Sequence, residues 1–214
     1  MRGKGRFEVQ ACVSVVDDDA LVLRSLGRLL RSAGFTVNTY PSPQAFLAQG
    51  AGDTPGCVVL DLSMPGLSGL DLQKALASSP DPRPVVFISA RGDVPSSVAA
   101  MKAGAVDFLT KPFDQEQLLA AVHAAIERDR SARIAREERS SIGERVATLT
   151  PREREVLSRV VDGRLNKQIA AELGTAEKTV KVHRARMMRK MGVGSIAGLV
   201  RAWTVIRQTG AQRP

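Results

Sequence analysis

Short apolar runs alternate with amphipathic segments through the first half of the chain. Five runs have the length and composition of buried strands: 11–16, 35–40, 57–60, 84–89 and 106–110. We predict that helices follow them near 20–33, 43–49, 69–78, 95–103 and from about 114. In the first helix, leucines recur at helical spacing at 21, 26, 29 and 30. Five strand–helix units predict an α/β fold with a doubly wound, five-stranded parallel sheet.

From residue 148 onward the pattern is helical only. We predict four helices, at 151–161, 167–173, 177–191 and 195–208. Thr150, Pro151 and Glu153 form a helix start in which Thr150 is the N-cap and Glu153 reaches back to it. Asn166 is a candidate cap for the second helix. The compact pair of helices around Gly174 has the proportions of a helix-turn-helix, so this half is a small all-α domain.

The stretch 127–145 is rich in charge and has almost no apolar face. We predict that the last helix of the first half extends into it and frays into a linker. A coiled-coil dimer seam is an alternative, which the poor heptad pattern disfavours. These patterns divide the chain into an N-terminal tail, a first domain, a helical charged linker, a second domain and a C-terminal tail: 1–8, 9–128, 129–147, 148–208 and 209–214. We expect both tails to be disordered.

The net charge of +9 is unevenly placed along the chain. Residues 1–147 carry 17 basic and 17 acidic side chains, whereas residues 148–214 carry 14 basic and 5 acidic ones. A basic helical module on a neutral body suggests a polyanionic partner, most often nucleic acid. A solvated basic surface is the alternative.

Composition also narrows the setting in which the protein acts. No apolar run approaches the roughly 18–20 residues that span a bilayer, and the basic N-terminus lacks the apolar region of a signal peptide. We therefore expect a cytoplasmic protein with no membrane partner. Cys12 and Cys57 have no CxxC pattern and fall in predicted strands, so we interpret them as core thiols.

Polar groups suited to phosphate or metal chemistry follow four of the predicted strands. They are Asp17, Asp18, Asp19, Asp61, Ser89 and Lys111. The carboxyl ends of parallel strands line one edge of a sheet, where ligands bind. One of the three consecutive aspartates can cap a helix, but three are more than a cap needs and favour a cation. Asp61 closes an apolar strand, where a carboxylate is costly unless paired or used. Together they predict a pocket for phosphoryl chemistry.

Residues 9–128 resemble a two-component receiver domain, on the segments VVDDD, LDLSMPGLSG, FISA and MKAGAVDFLTKPF. The resemblance implies that Asp61 accepts a phosphoryl group from a sensor histidine kinase. It implies a Mg²⁺ site formed by Asp17, Asp18, Asp61 and the Ser63 carbonyl. Ser89, the Ala90 N–H and Lys111 would then sense the phosphoryl group. Phe108 would be the aromatic switch residue, although a core aromatic is the alternative.

In the predicted helix 177–191, one side is apolar and the other is cationic with small apolar members. Lysine and arginine reach phosphates and guanine edges, and valine can touch a thymine methyl, so this side suits a major groove. A solvated helix face is the alternative. LTPREREVL, GRLNKQIAAELG and KTVKVHRARMMRKMGV resemble the four-helix LuxR-type DNA-binding domain. The resemblance implies DNA contacts at Lys178, Thr179, Lys181, Val182, Ala185, Arg186 and Arg189. It also implies a dimer contact at Leu199, Trp203 and Ile206.

Together the halves resemble response regulators of the NarL/FixJ subfamily, most closely the FixJ-like group. The helix at 177 departs from the pattern, because Ala176 and Glu177 replace the usual Ser-Pro, so its cap must come from Thr175 or be lost. We expect a phosphorylation-switched transcription factor that is not a turnover enzyme. Its expected partners are a kinase, double-stranded promoter DNA and a second copy of the chain, with RNA polymerase a further candidate.

Two other functions remain open at this point. A Mg²⁺-dependent phosphatase could use the same acidic edge, but Leu62-Ser63-Met64 offers no second acid to protonate a leaving group. A DNA-binding protein could use the first domain only as a docking scaffold, with no effect of phosphorylation.

Overall fold

The computed structural model describes residues 11–49, 54–90 and 94–210, with side chains up to residue 207. The chain divides into two compact units, with the boundary between Arg133 and Ile134. The predicted tail 1–8 and residues 211–214 lie outside the described residues, whereas 209 and 210 continue the last helix. No helix in the described part of the chain is long and apolar enough to cross a bilayer.

The first unit is a parallel sheet covered by helices on both faces, so the predicted fold is confirmed. Its strands in the described ranges are β1 (Cys12–Val16), β2 (Thr36–Tyr40), β3 (Gly56–Asp61), β4 (Val85–Ser89) and β5 (Asp107–Thr110). Their order in the sheet is β2-β1-β3-β4-β5. The helices are α1 (Ala20–Ser32), α2 (Pro43–Gln49), α3 (Gly69–Ala77), α4 (Val94–Lys102) and α5 (Gln115–Ala147).

The central strands β3 and β4 are buried along their whole length, as their unbroken apolar sequences predicted. One face of the sheet packs with Leu30, Leu118 and Val122, and the other packs with Phe46 and Leu72. The register brings the carboxyl ends of the strands to one edge, where Asp61 lies opposite Ile88 and Ser89 lies opposite Thr110.

The second unit contains the last turns of α5 and four further helices within the described residues. These are α6 (Pro151–Val161), α7 (Asn166–Leu173), α8 (Glu177–Met191) and α9 (Ile196–Gly210). Their core is formed by side chains from each element: Ile142, Val156, Leu157, Ile169, Val180, Met187, Met191 and Leu199. Gly174 and Gly192 end α7 and α8 with φ of 62° and 66°, in the left-handed region that favours glycine.

Helix starts in the second unit follow the predictions only in part. Thr150 and Glu153 form the expected capping box, with Glu153 N–H donating to Thr150 Oγ1 at 3.3 Å. Asn166, however, is the first residue of α7 and not its cap. The N–H of Leu165 donates instead to Gln168 Oε1 at 2.8 Å, which leaves Asn166 available for a contact with α8.

The predicted fraying of residues 127–145 is wrong, because α5 continues without a break to Ala147. Asp129 is fully buried in the first unit and pairs with Arg133 and Arg83. Ile142, with 6% of its surface exposed, joins the core of the second unit. The charged stretch thus contains one buried ion-pair residue and one buried apolar residue, which its composition conceals.

Candidate functional site

Lys111 joins the two buried carboxylates at the carboxyl edge of the sheet. Its Nζ donates to Asp61 Oδ1 at 2.9 Å and to Asp17 Oδ2 at 3.0 Å. Asp17 and Asp61 are 1% and 6% exposed, whereas a quarter of the Lys111 side chain reaches solvent. Residues separated by 94 positions in the chain therefore meet as the strand pattern predicted.

Backbone donors hold both carboxylates in place. Ser63 N–H donates to Asp61 Oδ2 at 2.8 Å, and Asp19 N–H donates to Asp17 Oδ1 at 2.8 Å. The chain after Asp61 turns closely enough that a Cβ on Gly69 would lie 2.5 Å from the Asp61 carbonyl oxygen. The glycine thus lets α3 begin directly beside the acceptor candidate.

The three consecutive aspartates have separate roles in the structure. Asp19 is the N-cap of α1 and accepts from Leu21 N–H at 2.7 Å. Asp17 points into the buried pair with Lys111, and Asp18 is exposed beside it. Helix capping therefore accounts for one of the three, and two remain for other chemistry.

Burial and ion pairing act against each other in this cluster. Burial raises the pKa of Asp17, although hydrogen bonds from Asp19 N–H and Lys111 favour its ionised form. Burial acts to lower the pKa of Lys111, but the hydrogen bonds to Asp61 and Asp17 outweigh it and raise that pKa. Lys111 is therefore a cation at neutral pH, facing two carboxylates.

The donor set of this edge suits a hard divalent cation. Two buried carboxylates share a single ammonium, and carboxylate and carbonyl oxygens are the ligands that Mg²⁺ prefers. Within the described ranges, no three acidic, histidine or cysteine side chains already surround one point. The exposed Asp18 side chain would have to turn toward Asp17 and Asp61 to complete the site.

The other predicted receiver residues lie along the same edge. Ser89 is 1% exposed at the end of β4, and its carbonyl accepts from Lys111 N–H at 2.7 Å. Ala90 follows it and is exposed. Phe108 is half-buried on β5, with its ring centroid 6.1 Å from that of Phe87. Phe108 is thus neither fully packed in the core nor free on the surface.

Helix α8 separates an apolar face from a cationic one. Val180, Met187 and Met191 are buried in the core of the second unit. The predicted DNA contacts are all exposed: Lys178, Thr179, Lys181, Val182, Ala185, Arg186 and Arg189. Arg184 Nη1 donates to Asn166 Oδ1 at 2.9 Å, which links α8 to the start of α7. Ala176 occupies the N-cap position and provides no side-chain acceptor, so the cap is lost.

Of the three residues predicted as the dimer contact on α9, the structure speaks against Leu199. Leu199 is fully buried in its own unit, and Trp203 and Ile206 are half-buried against the same core. A Leu199 side chain in that position cannot touch a partner. The large apolar side chains of α9 that are exposed, up to residue 207, are Ile196 and Val200, which are 45% and 38% exposed and lie one turn apart.

Comparisons with known proteins agree with both halves of the site. Residues 13–123 match the response regulator receiver domain, and residues 147–203 match the bacterial regulatory proteins of the luxR family. The chain is 46% identical over 203 residues to nodulation protein W of Bradyrhizobium diazoefficiens, covering 94% of this chain and 89% of that protein. It is 47% identical over 191 residues to transcriptional regulatory protein FixJ of Azorhizobium caulinodans, covering 88% and 90%.

Solved structures give the same result. Response regulator StyR, known at low resolution, aligns with a TM-score of 0.79 and 46% identity over 91% of this chain and 98% of that one. Full-length FixJ from B. japonicum aligns with a TM-score of 0.57 and 41% identity over 94% and 98%. The chain therefore belongs to the two-component response regulators of the NarL/FixJ family, with a receiver domain and a LuxR-type DNA-binding domain, and regulates transcription rather than turning over a substrate.

Proposed function

We propose that this regulator is switched by transfer of a phosphoryl group to Asp61 from a phosphohistidine of a sensor histidine kinase. The observation that carries the proposal is the pair of 2.9 and 3.0 Å contacts by which Lys111 bridges Asp61 and Asp17. A carboxylate already oriented by one ammonium and one backbone N–H is suited to act as a nucleophile. The family assignment makes a kinase the natural donor.

In the proposed step, an Asp61 carboxylate oxygen attacks phosphorus in line with the phosphorus–nitrogen bond of the donor. That bond breaks as the oxygen–phosphorus bond forms, and the departing imidazole takes a proton from water. Lys111 neutralises charge on the phosphoryl oxygens because its Nζ already lies beside Asp61 Oδ1. Ser63 N–H keeps the second oxygen of Asp61 in place.

We propose that Asp17, Asp18, Asp61 and the Ser63 carbonyl hold Mg²⁺ during this step. When bound, the ion screens repulsion between Asp61 and the incoming phosphoryl group. Asp17 has a second role in the proposal. It keeps Lys111 in the site while Asp61 changes from a carboxylate to an acyl phosphate, because the contact at 3.0 Å does not involve Asp61.

The switch then follows from the added charge. A phosphoryl dianion on Asp61 attracts the Ser89 hydroxyl and the Ala90 N–H, which lie at the end of the adjacent strand β4. Movement of Ser89 makes room for Phe108, whose half-buried ring is able to turn inward. The surface formed by α4 and β5 changes as a result, and this favours a homodimer.

In the dimer, two copies of α8 read a two-fold promoter site in double-stranded DNA. The seven exposed residues named on α8 contact bases and phosphates, and we propose the exposed α9 residues Ile196 and Val200 as the dimer contact in place of Leu199. The protein acts in the bacterial cytoplasm, and recruitment of RNA polymerase is its proposed route to transcription.

The test compares Asp61→Asn with Asp71→Asn, which alters an exposed carboxylate on α3. After incubation with acetyl phosphate and Mg²⁺, the wild-type chain and Asp71→Asn should be phosphorylated, dimerise and bind promoter DNA more tightly. Asp61→Asn should show none of these changes. Labelling and dimerisation of Asp61→Asn to the wild-type extent would refute the proposal. So would full labelling of the wild type without any change in DNA affinity.

A further inference from the structure

The carboxyl end of α8 is held by residues that run from the end of α5 to the first turn of α6. Arg145 Nη1, from the last turns of α5, donates to the Met191 carbonyl at 3.2 Å. Lys190 Nζ donates to the Thr148 carbonyl at 3.0 Å and to Glu153 Oε2 at 2.7 Å. A cation at the end of a helix satisfies a terminal carbonyl and interacts favourably with the helix dipole. This end of α8 is therefore tied to the segment 145–153 by three hydrogen bonds.

The amino end of the same helix has no comparable support. Ala176 stands at the N-cap and makes no side-chain hydrogen bond. A missing cap typically destabilises a helix end by about 1 kcal/mol. The direction of α8 thus depends on its buried face, on the Arg184 contact with Asn166 and on the contacts at its carboxyl end.

The segment that supplies Arg145 is packed into the DNA-binding unit. Ile142 is buried in the core that contains Met187 and Met191, and Val146 packs against that core. The match to the luxR family begins at residue 147, so this turn of α5 lies outside it. Arg145 also lies against Gly192, where a Cβ would be 3.1 Å from its Nη1.

We infer that Arg145 is a positioning residue for DNA recognition. It fixes the carboxyl end of α8 through the Met191 carbonyl, and so sets the orientation in which the exposed side of α8 meets the major groove. It acts through α8 and not as a phosphate contact. The inference rests on the proposed role of α8 as the DNA-reading helix.

Positioning and phosphate contact differ in their salt dependence. The logarithm of the binding constant falls as the logarithm of the salt concentration rises. Loss of one phosphate contact reduces the steepness of this fall, the salt slope, by about 0.9, whereas loss of a positioning residue leaves the steepness unchanged. We propose to measure both affinity and slope with the full-length chain and the strongest DNA site selected from a random pool. Thermal unfolding followed by the single tryptophan, Trp203, reports on the folding of this unit.

Arg145→Ala should weaken binding to the selected site about fivefold, the equivalent of one net hydrogen bond, with an unchanged salt slope. Arg145→Lys keeps a cationic donor and should recover most of the affinity. Arg139→Ala, on the exposed surface of the same helix, should bind as the wild type does. Lys181→Ala should lower both affinity and slope, which tests the proposed role of α8 separately.

Two results would overturn the inference. One is a slope lowered by about one unit in Arg145→Ala, because it would make Arg145 a phosphate contact. The other is wild-type affinity in that variant. If Arg145→Ala unfolds below the assay temperature, Arg145→Lys decides. An affinity and a salt slope near those of Arg139→Ala would support the inference. A fivefold loss of affinity in an Arg145→Lys variant that folds normally would contradict it.

Discussion

Asp129 provides the most direct test of how the charged stretch of α5 stabilises the receiver unit. Its Oδ2 accepts from Gly56 N–H at 2.9 Å and from Arg133 Nε at 2.8 Å, and Arg83 Nη1 lies 3.5 Å away. The Asp129 side chain is fully buried and that of Arg83 is 2% exposed. Burial lowers the pKa of Arg83 even though the charge of Asp129 opposes the shift, so this guanidinium depends on its carboxylate partner.

Asp129→Asn keeps the volume and an acceptor for Gly56 N–H but removes the negative charge. Breaking a buried ion pair costs about 3–5 kcal/mol, and the retained Gly56 hydrogen bond recovers about 1 kcal/mol of it. Arg83 also keeps its hydrogen bond to the Thr54 carbonyl at 2.6 Å. We therefore expect a loss of about 2–4 kcal/mol, equivalent to a fall in Tm of roughly 8–16 °C for a unit of this size.

Calorimetry of the full chain measures this change, and Asp81→Asn is the matched control. Asp81 pairs with Arg133 at 2.6 Å, but its side chain is 40% exposed, so its loss should cost less than about 1 kcal/mol. The Trp203 fluorescence transition belongs to the other unit and should not move in either variant. The reasoning is refuted if Asp129→Asn costs no more than Asp81→Asn, because burial would then add nothing to the value of the pair.

Three further predictions concern the site, the capping box and α9. Lys111→Met leaves two buried carboxylates facing each other, so it should destabilise the receiver at pH 7. Calorimetry should show that this loss shrinks as the pH falls, because burial raises the pKa of Asp17 and favours its neutral form. Hydrogen bonds from Lys190 and from the Thr150 N–H lower the pKa of Glu153. The stability that the Glu153 carboxylate gives the folded unit is therefore fully present above its usual pKa of 4.5, and it is lost as the pH falls through the lowered pKa. Trp203 unfolding should show Glu153→Gln about 1 kcal/mol less stable than wild type at pH 7, with the difference shrinking as the pH falls below 4.5; a difference independent of pH would contradict this. Leu199→Ala should cost about 2–4 kcal/mol of unfolding free energy, whereas Val200→Asp should leave stability intact and weaken dimerisation in sedimentation experiments.

The sheet and its chemical edge could be predicted because each depends on local patterns. Continuous apolar runs identify strands that are covered by helices on both faces. Because the strands are parallel, Asp17, Asp61 and Lys111 then lie at one edge of the sheet, irrespective of the conformation of the loops. The same holds for the capping box at Thr150, whose four residues contain all of its geometry. The strands and the capping box were predicted correctly because residues close together in the sequence determine them.

The wrong predictions concern features that only tertiary packing determines, namely which face of a helix is buried and which side chain forms a cap. Helix α9 carries apolar residues at 196, 199, 200, 203 and 206, a stripe wider than one core contact requires. Its sequence does not say which edge of the stripe faces inward, and the structure buries Leu199 while exposing Val200. Asn166 likewise looked like a cap, but Gln168 reached the Leu165 N–H and left the Asn166 amide for Arg184.

The predicted fraying of residues 127–145 is wrong for a reason that composition cannot reveal. Asp129 stands between two arginines in the sequence, which is typical of a charged surface exposed to solvent. Its burial becomes evident only from its partners Gly56 and Arg83, which come from distant parts of the chain. The sequence likewise gives no indication of the contact made by Arg145, because its partner, the Met191 carbonyl, lies 46 positions further along the chain. Each unit thus takes contacts from the same charged helix: Asp129 in the first unit, and Ile142 and Arg145 in the second. Substitutions at exposed positions of this stretch, at Glu137 for example, should be tolerated far better than changes at Asp129, Ile142 or Arg145.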